Sequence, residues 1–370
     1  MSKGICVAII TPSYNVKPTP HCARINDALA QLSTVAPEID LIIVSISGLG
    51  GDTRAAKLKK LVQRIRKAVD QADVVHLVSF LPFHPLLFRL IRHKPVLLGP
   101  NITGAAFPKK FMGKPALKAL KAEMPGYWCK WLLGGGALRE HTNIWLSRHV
   151  KRIISLSAYA ADIIASRGLS RPRIEIMPFA APLMSETSEA KRMLGNIQKP
   201  LIAYVGRLDR RKGFDLFLEM TSLIKKNVCF VVIGEGRMRA DLEAAMMKEP
   251  RIIWLGRKHR AELLALFPLV DVYVQPSTYE AIATTVLEAL RAGVPVLSAD
   301  IPSHHEIAEQ IGGVRLFPSG DAKAAAAKLD DMIAREQDLR VETAVAATRL
   351  QTSNTARWLA DIYHELAEGV

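Results

Sequence analysis

Leu201-Ile202-Ala203-Tyr204-Val205-Gly206-Arg207-Leu208-Asp209-Arg210-Arg211-Lys212-Gly213 (residues 201–213) is the stretch that decides the fold. A short apolar β-type run meets a glycine and a basic turn, and residues 214–225 then read as a helix. Strand, loop and helix in that order form the repeating unit of an α/β protein.

Working outward, the same unit recurs on both sides. Probable strands before it lie at 5–10, 41–45, 74–78, 95–98, 152–156 and 175–177. After 201–205 come 229–233, 252–254, 272–275, 295–297 and 314–316. Such alternation predicts two parallel, doubly wound sheets, each the centre of a Rossmann-like domain. A polar stretch at 179–199 is the expected linker, dividing the chain into residues 1–180 and 181–351. The closing helix-type stretch, with apolar Trp358, Leu359, Ile362, Tyr363 and Leu366, is expected to complete the first domain as residues 352–370.

A chain of 370 residues, 49% hydrophobic and 23% charged, has the size and composition of two globular domains. Cys6, Cys22, Cys129 and Cys229 are scattered, with no CxxC pair, and fit a reduced cytosolic setting. The N-terminal apolar run is too short for a signal peptide and reads as a strand. The apolar stretch 74–91 holds His76, His84, Pro82, Pro85 and Arg89, which argues against a membrane-spanning helix. The net charge of +15 is unevenly spread: residues 1–180 hold 26 Lys and Arg against 10 Asp and Glu, and residues 181–370 hold 24 against 25.

Turns at strand ends can carry chemistry, because open α/β sheets bind ligands at the carboxyl edge. In the first, Arg207 and Lys212 flank the Gly206–Gly213 loop just before a helix start, an arrangement suited to phosphate. A solvated basic turn is the alternative. In the second, Gly234 and Gly236 permit close backbone approach to a ligand, and Leu255-Gly256-Arg257 closes the next strand in similar fashion. Tight turns alone would use the same residues. The third is Pro276-Ser277-Thr278-Tyr279-Glu280-Ala281-Ile282-Ala283-Thr284-Thr285-Val286-Leu287-Glu288-Ala289. Thr285 and Glu288 have capping-box spacing, which predicts a helix starting there. Glu280 then lies in the loop ahead of it, beside the free N–H groups of residues 281–286. Capping alone accounts for Glu288 but not for Glu280.

As a set, these residues resemble the retaining nucleotide-sugar glycosyltransferases of family 4, with the GT-B fold of two Rossmann-like domains facing a central cleft. The resemblance rests on Gly206, Arg207, Lys212 and Gly213, on Gly234 and Gly236, on Glu280 and Glu288 with seven residues between them, and on Ala289, Gly293, Pro295 and Val296. It covers residues 150–320 in order. It implies that Arg207 and Lys212 hold the diphosphate, that Glu280 contacts the transferred sugar, and that Glu288 contacts the ribose. Gly206, Gly234, Gly236, Arg257, Ala281, Ile282, Ala283, Thr284, Thr285 and Val286 complete the expected sugar-donor site. Ser157 matches the serine that follows the last strand of the first domain. No metal or other cofactor is implied, since cations and a helix dipole would stabilise the leaving group. The chain departs from the family at Pro12-Ser13-Tyr14, where a Gly-Gly turn is usual. It also has Asn101 near the place of a common histidine, and Ala281 and Ala283 at glycine positions. Ser13, Tyr14, His76, Asn101 and Ser157 are therefore the acceptor-side candidates, His76 with a half-buried strand-end role as alternative.

The basic excess has its own pattern. Residues 54–69 read as a helix with Leu58, Leu61, Val62, Ile65 and Val69 on one face and Lys57, Lys60, Arg64 and Lys67 on another. Residues 109–131 interleave six lysines with Phe111, Tyr127, Trp128 and Trp131, the composition of a membrane-surface segment. Anionic lipid attracts each nearby cation by about 1 kcal/mol, so this many suffices for peripheral binding. A solvated basic face over core aromatics is the alternative, and no motif supports nucleic acid.

The expectation is a retaining, metal-independent hexosyltransferase at the cytosolic face of the membrane. It would use a nucleoside-diphosphate sugar, UDP-linked by preference and GDP-mannose as a possibility, and a lipid-linked or envelope-saccharide acceptor. A GT-B sugar epimerase or phosphorylase, or a non-catalytic nucleotide-sugar-binding protein, are the alternatives.

Overall fold

The computed structural model describes residues 4–11, 20–45, 54–79, 84–101, 145, 147–166, 168–183, 185–195, 197 and 200–369. These fall into two compact units. One holds the residues up to Ala180 together with those from Thr352 onward, and the other runs from Ala181 to Gln351. The 109–131 segment, Ser13 and Tyr14 lie outside the described residues.

The first unit is built on a six-stranded parallel sheet. Its strands are β1 (Ile5–Thr11), β2 (Ile39–Ser45), β3 (Val74–Ser79), β4 (Val96–Asn101), β5 (Arg152–Ser155) and β6 (Ile174–Ile176). Their order across the sheet is β2-β1-β3-β4-β5-β6. Helices α1 (Pro20–Val35), α2 (Arg54–Gln71), α3 (His84–Ile91) and α4 (Ala158–Ala165) complete it among the described residues of its N-terminal part. On α2, Leu61, Ile65 and Val69 are buried with Ile10 and Leu98 in one core. Lys57, Lys60, Arg64 and Lys67 are exposed, as helical spacing requires of a stripe displaced from the apolar one.

The last helix of the chain also packs on this unit. His76 on β3 is fully buried, with Nδ1 2.7 Å from the Tyr363 hydroxyl and Nε2 2.8 Å from the Gly99 carbonyl. A carbonyl only accepts, so Nε2 carries the proton and Nδ1 accepts from Tyr363. Burial pushes the imidazole down to about 4, and it is neutral at physiological pH. His76 thus ties β3 to the terminal helix (Thr352–Glu368), as a buried strand-end residue.

The second unit carries β7 (Leu201–Val205), β8 (Cys229–Ile233), β9 (Ile252–Trp254), β10 (Val272–Gln275), β11 (Val296–Asp300) and β12 (Val314–Pro318). The order is β12-β11-β10-β7-β8-β9, with every pairing parallel. After β7 the chain winds one way through β8 and β9, then returns to β10 on the other side of β7 and winds outward. The switch point between β7 and β10 is where such a sheet opens a crevice at its carboxyl edge. The helices in chain order are α5 (Ser188–Leu194), α6 (Phe214–Leu223), α7 (Arg239–Lys248), α8 (Arg260–Leu266), α9 (Thr284–Arg291), α10 (Pro302–Gln310), α11 (Ala322–Ala334) and α12 (Glu336–Thr348), before the terminal helix, α13.

Aromatic packing seats the first arm of the switch point. Tyr204 on β7 lies 5.0 Å from Phe214 and 5.1 Å from Phe217, ring to ring, and both phenylalanines on α6 are fully buried. Each buried phenylalanine contributes about 1.5–3 kcal/mol of apolar burial. The loop joining β7 to α6 is thereby pinned at both ends.

Candidate sugar-donor site

The β7–α6 loop is ordered by its own polar groups. Tyr204 donates its hydroxyl proton to the Arg207 carbonyl over 2.7 Å. Asp209, buried, accepts from the Lys212 N–H at 2.9 Å and caps the short turn Arg210–Lys212. Its other oxygen meets the Arg207 guanidinium at 2.9 Å, while the arginine side chain stays 61% exposed. Gly213 ends the turn at φ 67, and a Cβ there would lie 1.9 Å from the Pro276 carbonyl oxygen. Only glycine allows this loop to meet the one that follows β10.

That contact joins the two arms of the switch point. The Thr278 N–H donates to the Arg211 carbonyl at 2.9 Å. Lys212 Nζ donates to Glu280 Oε1, forming an ion pair between the two loops. Ser277 Oγ donates to the same carboxylate at 3.0 Å. Burial pushes the Glu280 carboxyl up, but the Lys212 and Arg211 cations outweigh it and hold the group below its ordinary range. His304 adds no charge here. Its Nδ1 is bonded to Ser298 Oγ at 2.7 Å and the Ala299 carbonyl at 3.0 Å, and burial takes it down to about 4.

The helix after this loop differs from the capping-box reading. It begins at Thr284, with Ala283 at its N-cap and no side-chain cap. Thr285 shares a hydrogen bond of 2.9 Å with the Tyr273 hydroxyl of β10, and Glu288 is paired with Arg260 of α8 at 3.0 Å. Both side chains are engaged by distant elements, so neither closes the box. The run of N–H groups is also shorter than expected, because Val286 N–H returns to the Ala283 carbonyl at 3.0 Å. Thr284 and Thr285 occupy the first two helical positions, whose N–H groups have no carbonyl one turn back. Ala281, Ile282, Ala283 and Val286 are buried.

Gly234 and Gly236 serve the protein's own backbone. A Cβ on Gly234 would fall 1.8 Å from the Gly206 oxygen, and one on Gly236 would fall 2.4 Å from the Leu208 oxygen. Gly206 N–H donates to Ile233, Leu208 N–H to Glu235 and Gly234 N–H to Gly256, so the turns after β7, β8 and β9 are laced together. The close approach read from these glycines is therefore met by neighbouring turns. Arg257 is exposed beside them.

Of the acceptor-side candidates in the first unit, Ser157 is fully buried and caps α4, its Oγ accepting from the Ala160 N–H at 3.0 Å. Its hydroxyl oxygen is thus engaged as a helix cap. Asn101 ends β4, and its side chain lies outside the described set.

Two six-stranded parallel sheets of this topology, one in each unit, fit the GT-B fold. Residues 187–349 match the family described as Glycosyl transferases group 1. A GDP-mannose-dependent alpha-mannosyltransferase from Mycobacterium tuberculosis is 26% identical over 286 residues, covering 75% of this chain and 68% of that protein. A 2-deoxystreptamine glucosyltransferase from Streptomyces kanamyceticus is 29% identical over 167 residues, which is 41% of this chain and 43% of the relative. Among solved structures, Anabaena HepE in complex with UDP superposes with a TM-score of 0.67 at 14% identity, covering 98% of this chain and all of that one. A glycosyltransferase from Rickettsia africae gives 0.69 at 12% identity, with both chains covered completely.

Tyr273, Gln275, Arg260 and Arg211 were not singled out from the sequence. One signal was present: Gln275 is a polar residue closing an otherwise apolar strand.

Proposed function

We propose that the chain transfers a hexose from a nucleoside-diphosphate sugar to a lipid-linked or envelope-saccharide acceptor, with retention of anomeric configuration and without a metal ion. The observation that carries this reading is the Lys212–Glu280 pair at the β7/β10 switch point, one group suited to a diphosphate and the other to sugar hydroxyls. Arg207, paired with Asp209 but largely exposed on the same loop, would turn towards a second phosphate oxygen. The first-turn N–H groups of Thr284 and Thr285, with the positive end of the α9 dipole, add neutral donors. Cations and backbone donors together would stabilise the departing diphosphate, which is where charge develops in the transition state. The acceptor hydroxyl would attack the anomeric carbon from the face the diphosphate leaves, passing its proton to a phosphate oxygen. Glu280, held by Ser277, would orient the sugar and form no bond to it.

A screen of UDP-hexoses and GDP-mannose for acceptor-dependent nucleotide release tests this reading. Release with at least one sugar donor, and a product whose anomeric proton coupling matches that donor, is the expected result. Isomerised sugar without any acceptor would favour an epimerase, and tight nucleotide binding with no turnover would favour a binding protein.

We also propose that the first unit docks on an anionic membrane surface from the cytoplasmic side. The exposed stripe of Lys57, Lys60, Arg64 and Lys67 supports this. No helix among the described residues is long and apolar enough to cross a membrane. Sedimentation with vesicles should show binding to phosphatidylglycerol-containing liposomes that falls with salt and with replacement of the four cations by glutamine. Equal binding to neutral vesicles, or none to either, would contradict it.

A further inference from the structure

The face of β10 that leads to Glu280 carries a row of buried polar side chains. Side chains two apart on a strand share a face, so Tyr273 and Gln275 line up, and Ser277 continues the row past the strand end. Tyr273, Gln275 and Ser277 are 0%, 2% and 0% exposed. The Tyr273 hydroxyl donates to Gln275 Oε1, Gln275 Nε2 donates to Ser277 Oγ at 2.7 Å, and Ser277 Oγ donates to Glu280 Oε1 at 3.0 Å. Proton counting fixes this direction. A carboxylate only accepts, so the single hydroxyl proton of Ser277 goes to Glu280. The serine oxygen must then receive from the Gln275 amide nitrogen, which turns the amide oxygen to Tyr273. Ser298 Oγ anchors the Gln275 carbonyl at 3.2 Å from the neighbouring strand β11. Every donor in the row points towards one carboxylate.

The row matters at the moment the proposed reaction begins. A diphosphate that engages Lys212 draws the ammonium from Glu280, and the carboxylate then keeps only the partners that stay behind. We propose that Ser277 and Gln275 are positioning residues, holding the Glu280 carboxylate in place for the sugar once Lys212 has turned to the diphosphate. This rests on the nucleotide-sugar reading of the site.

The test is steady-state kinetics with nucleoside-diphosphate affinity measured in parallel. Ser277→Ala should lower kcat about tenfold or more while leaving the affinity for free nucleoside diphosphate within about twofold, because the hydrogen bond it removes serves the sugar end. Ser277→Thr, which keeps the hydroxyl, should restore most of the loss. Gln275→Glu and Gln275→Met separate direction from packing. The glutamate matches the native shape but offers Ser277 an acceptor, pulling its proton from Glu280, so it should be the more damaged of the two. Thermal melts of the Gln275 pair keep the comparison valid if Ser277→Ala folds poorly. Gln275→Glu with wild-type kcat, or an alanine loss that threonine does not rescue, would overturn the proposal while leaving the reaction standing. A wild-type chain that transfers no sugar from any nucleotide would overturn the reaction, and this role with it.

Discussion

Glu280→Gln is expected to lower kcat by about 10²–10³-fold, the cost typical of losing one polar group aimed at the reacting centre. The same change is expected to tighten binding of the free nucleoside diphosphate. Both follow from one contact. In the structure the carboxylate occupies Lys212, so an incoming diphosphate must compete with an internal anion for the ammonium. A neutral amide of equal size removes that competitor and still accepts from Ser277. Close, partly desolvated charge pairs carry coupling large enough that a gain of roughly tenfold in nucleotide affinity is the expected scale. Calorimetry with UDP and GDP reads the affinity, and initial rates read the turnover. Weaker nucleotide binding in the glutamine variant would mean that Glu280 supports the diphosphate site and does not compete with it.

Lys212→Met should be the mirror image, with turnover down by about 10³-fold and nucleotide binding weakened, since the cation at the leaving group is gone. It also predicts a pH signature in stability. Glu280 is buried and is held below its ordinary range by Lys212 and Arg211. A carboxyl with a depressed folded-state value contributes stability above its unfolded value and loses it as pH falls through the folded one. Without Lys212 the burial effect, which raises the value, is opposed by less positive charge, so the folded value moves up. The variant is then penalised most where Glu280 must ionise, at neutral and alkaline pH. Removing one partner of a buried pair costs about 3–5 kcal/mol, and the partial exposure of Lys212 places this case at or below the lower end. The gap in melting temperature between variant and wild type should therefore narrow as pH is lowered, closing only once the wild-type carboxyl itself takes up its proton. A gap that widens on acidification would contradict the assignment of Lys212 as the group that keeps Glu280 ionised.

All twelve strands among the described residues were legible in the sequence, with end-points shifted by three residues at most. The reason is local: short apolar runs closed by glycine or polar turns carry their own signal, and β7 and β8 agree residue for residue. The pair of loops that carries Lys212 and Glu280 was legible for the same reason, since each begins where an apolar run stops. What the sequence withheld depends on distant partners. Thr285 and Glu288 have capping-box spacing, yet Tyr273 and Arg260 claim their side chains from other elements. His76 reads as a polar strand end until Tyr363, 287 positions away, is placed against it. The glycines at 234 and 236 show that a backbone must come close without showing whose. Periodicity and spacing encode elements and their edges, and pairings across the fold are decided by topology.

The most direct test of a diphosphate grip at the β7 and β10 loops is a crystal structure of the chain with a bound nucleoside-diphosphate sugar. Lys212 Nζ should have left Glu280 for a phosphate oxygen at about 3 Å, with Glu280 accepting from the sugar hydroxyls. A nucleotide lodged elsewhere, with Lys212 and Glu280 still paired, would contradict it.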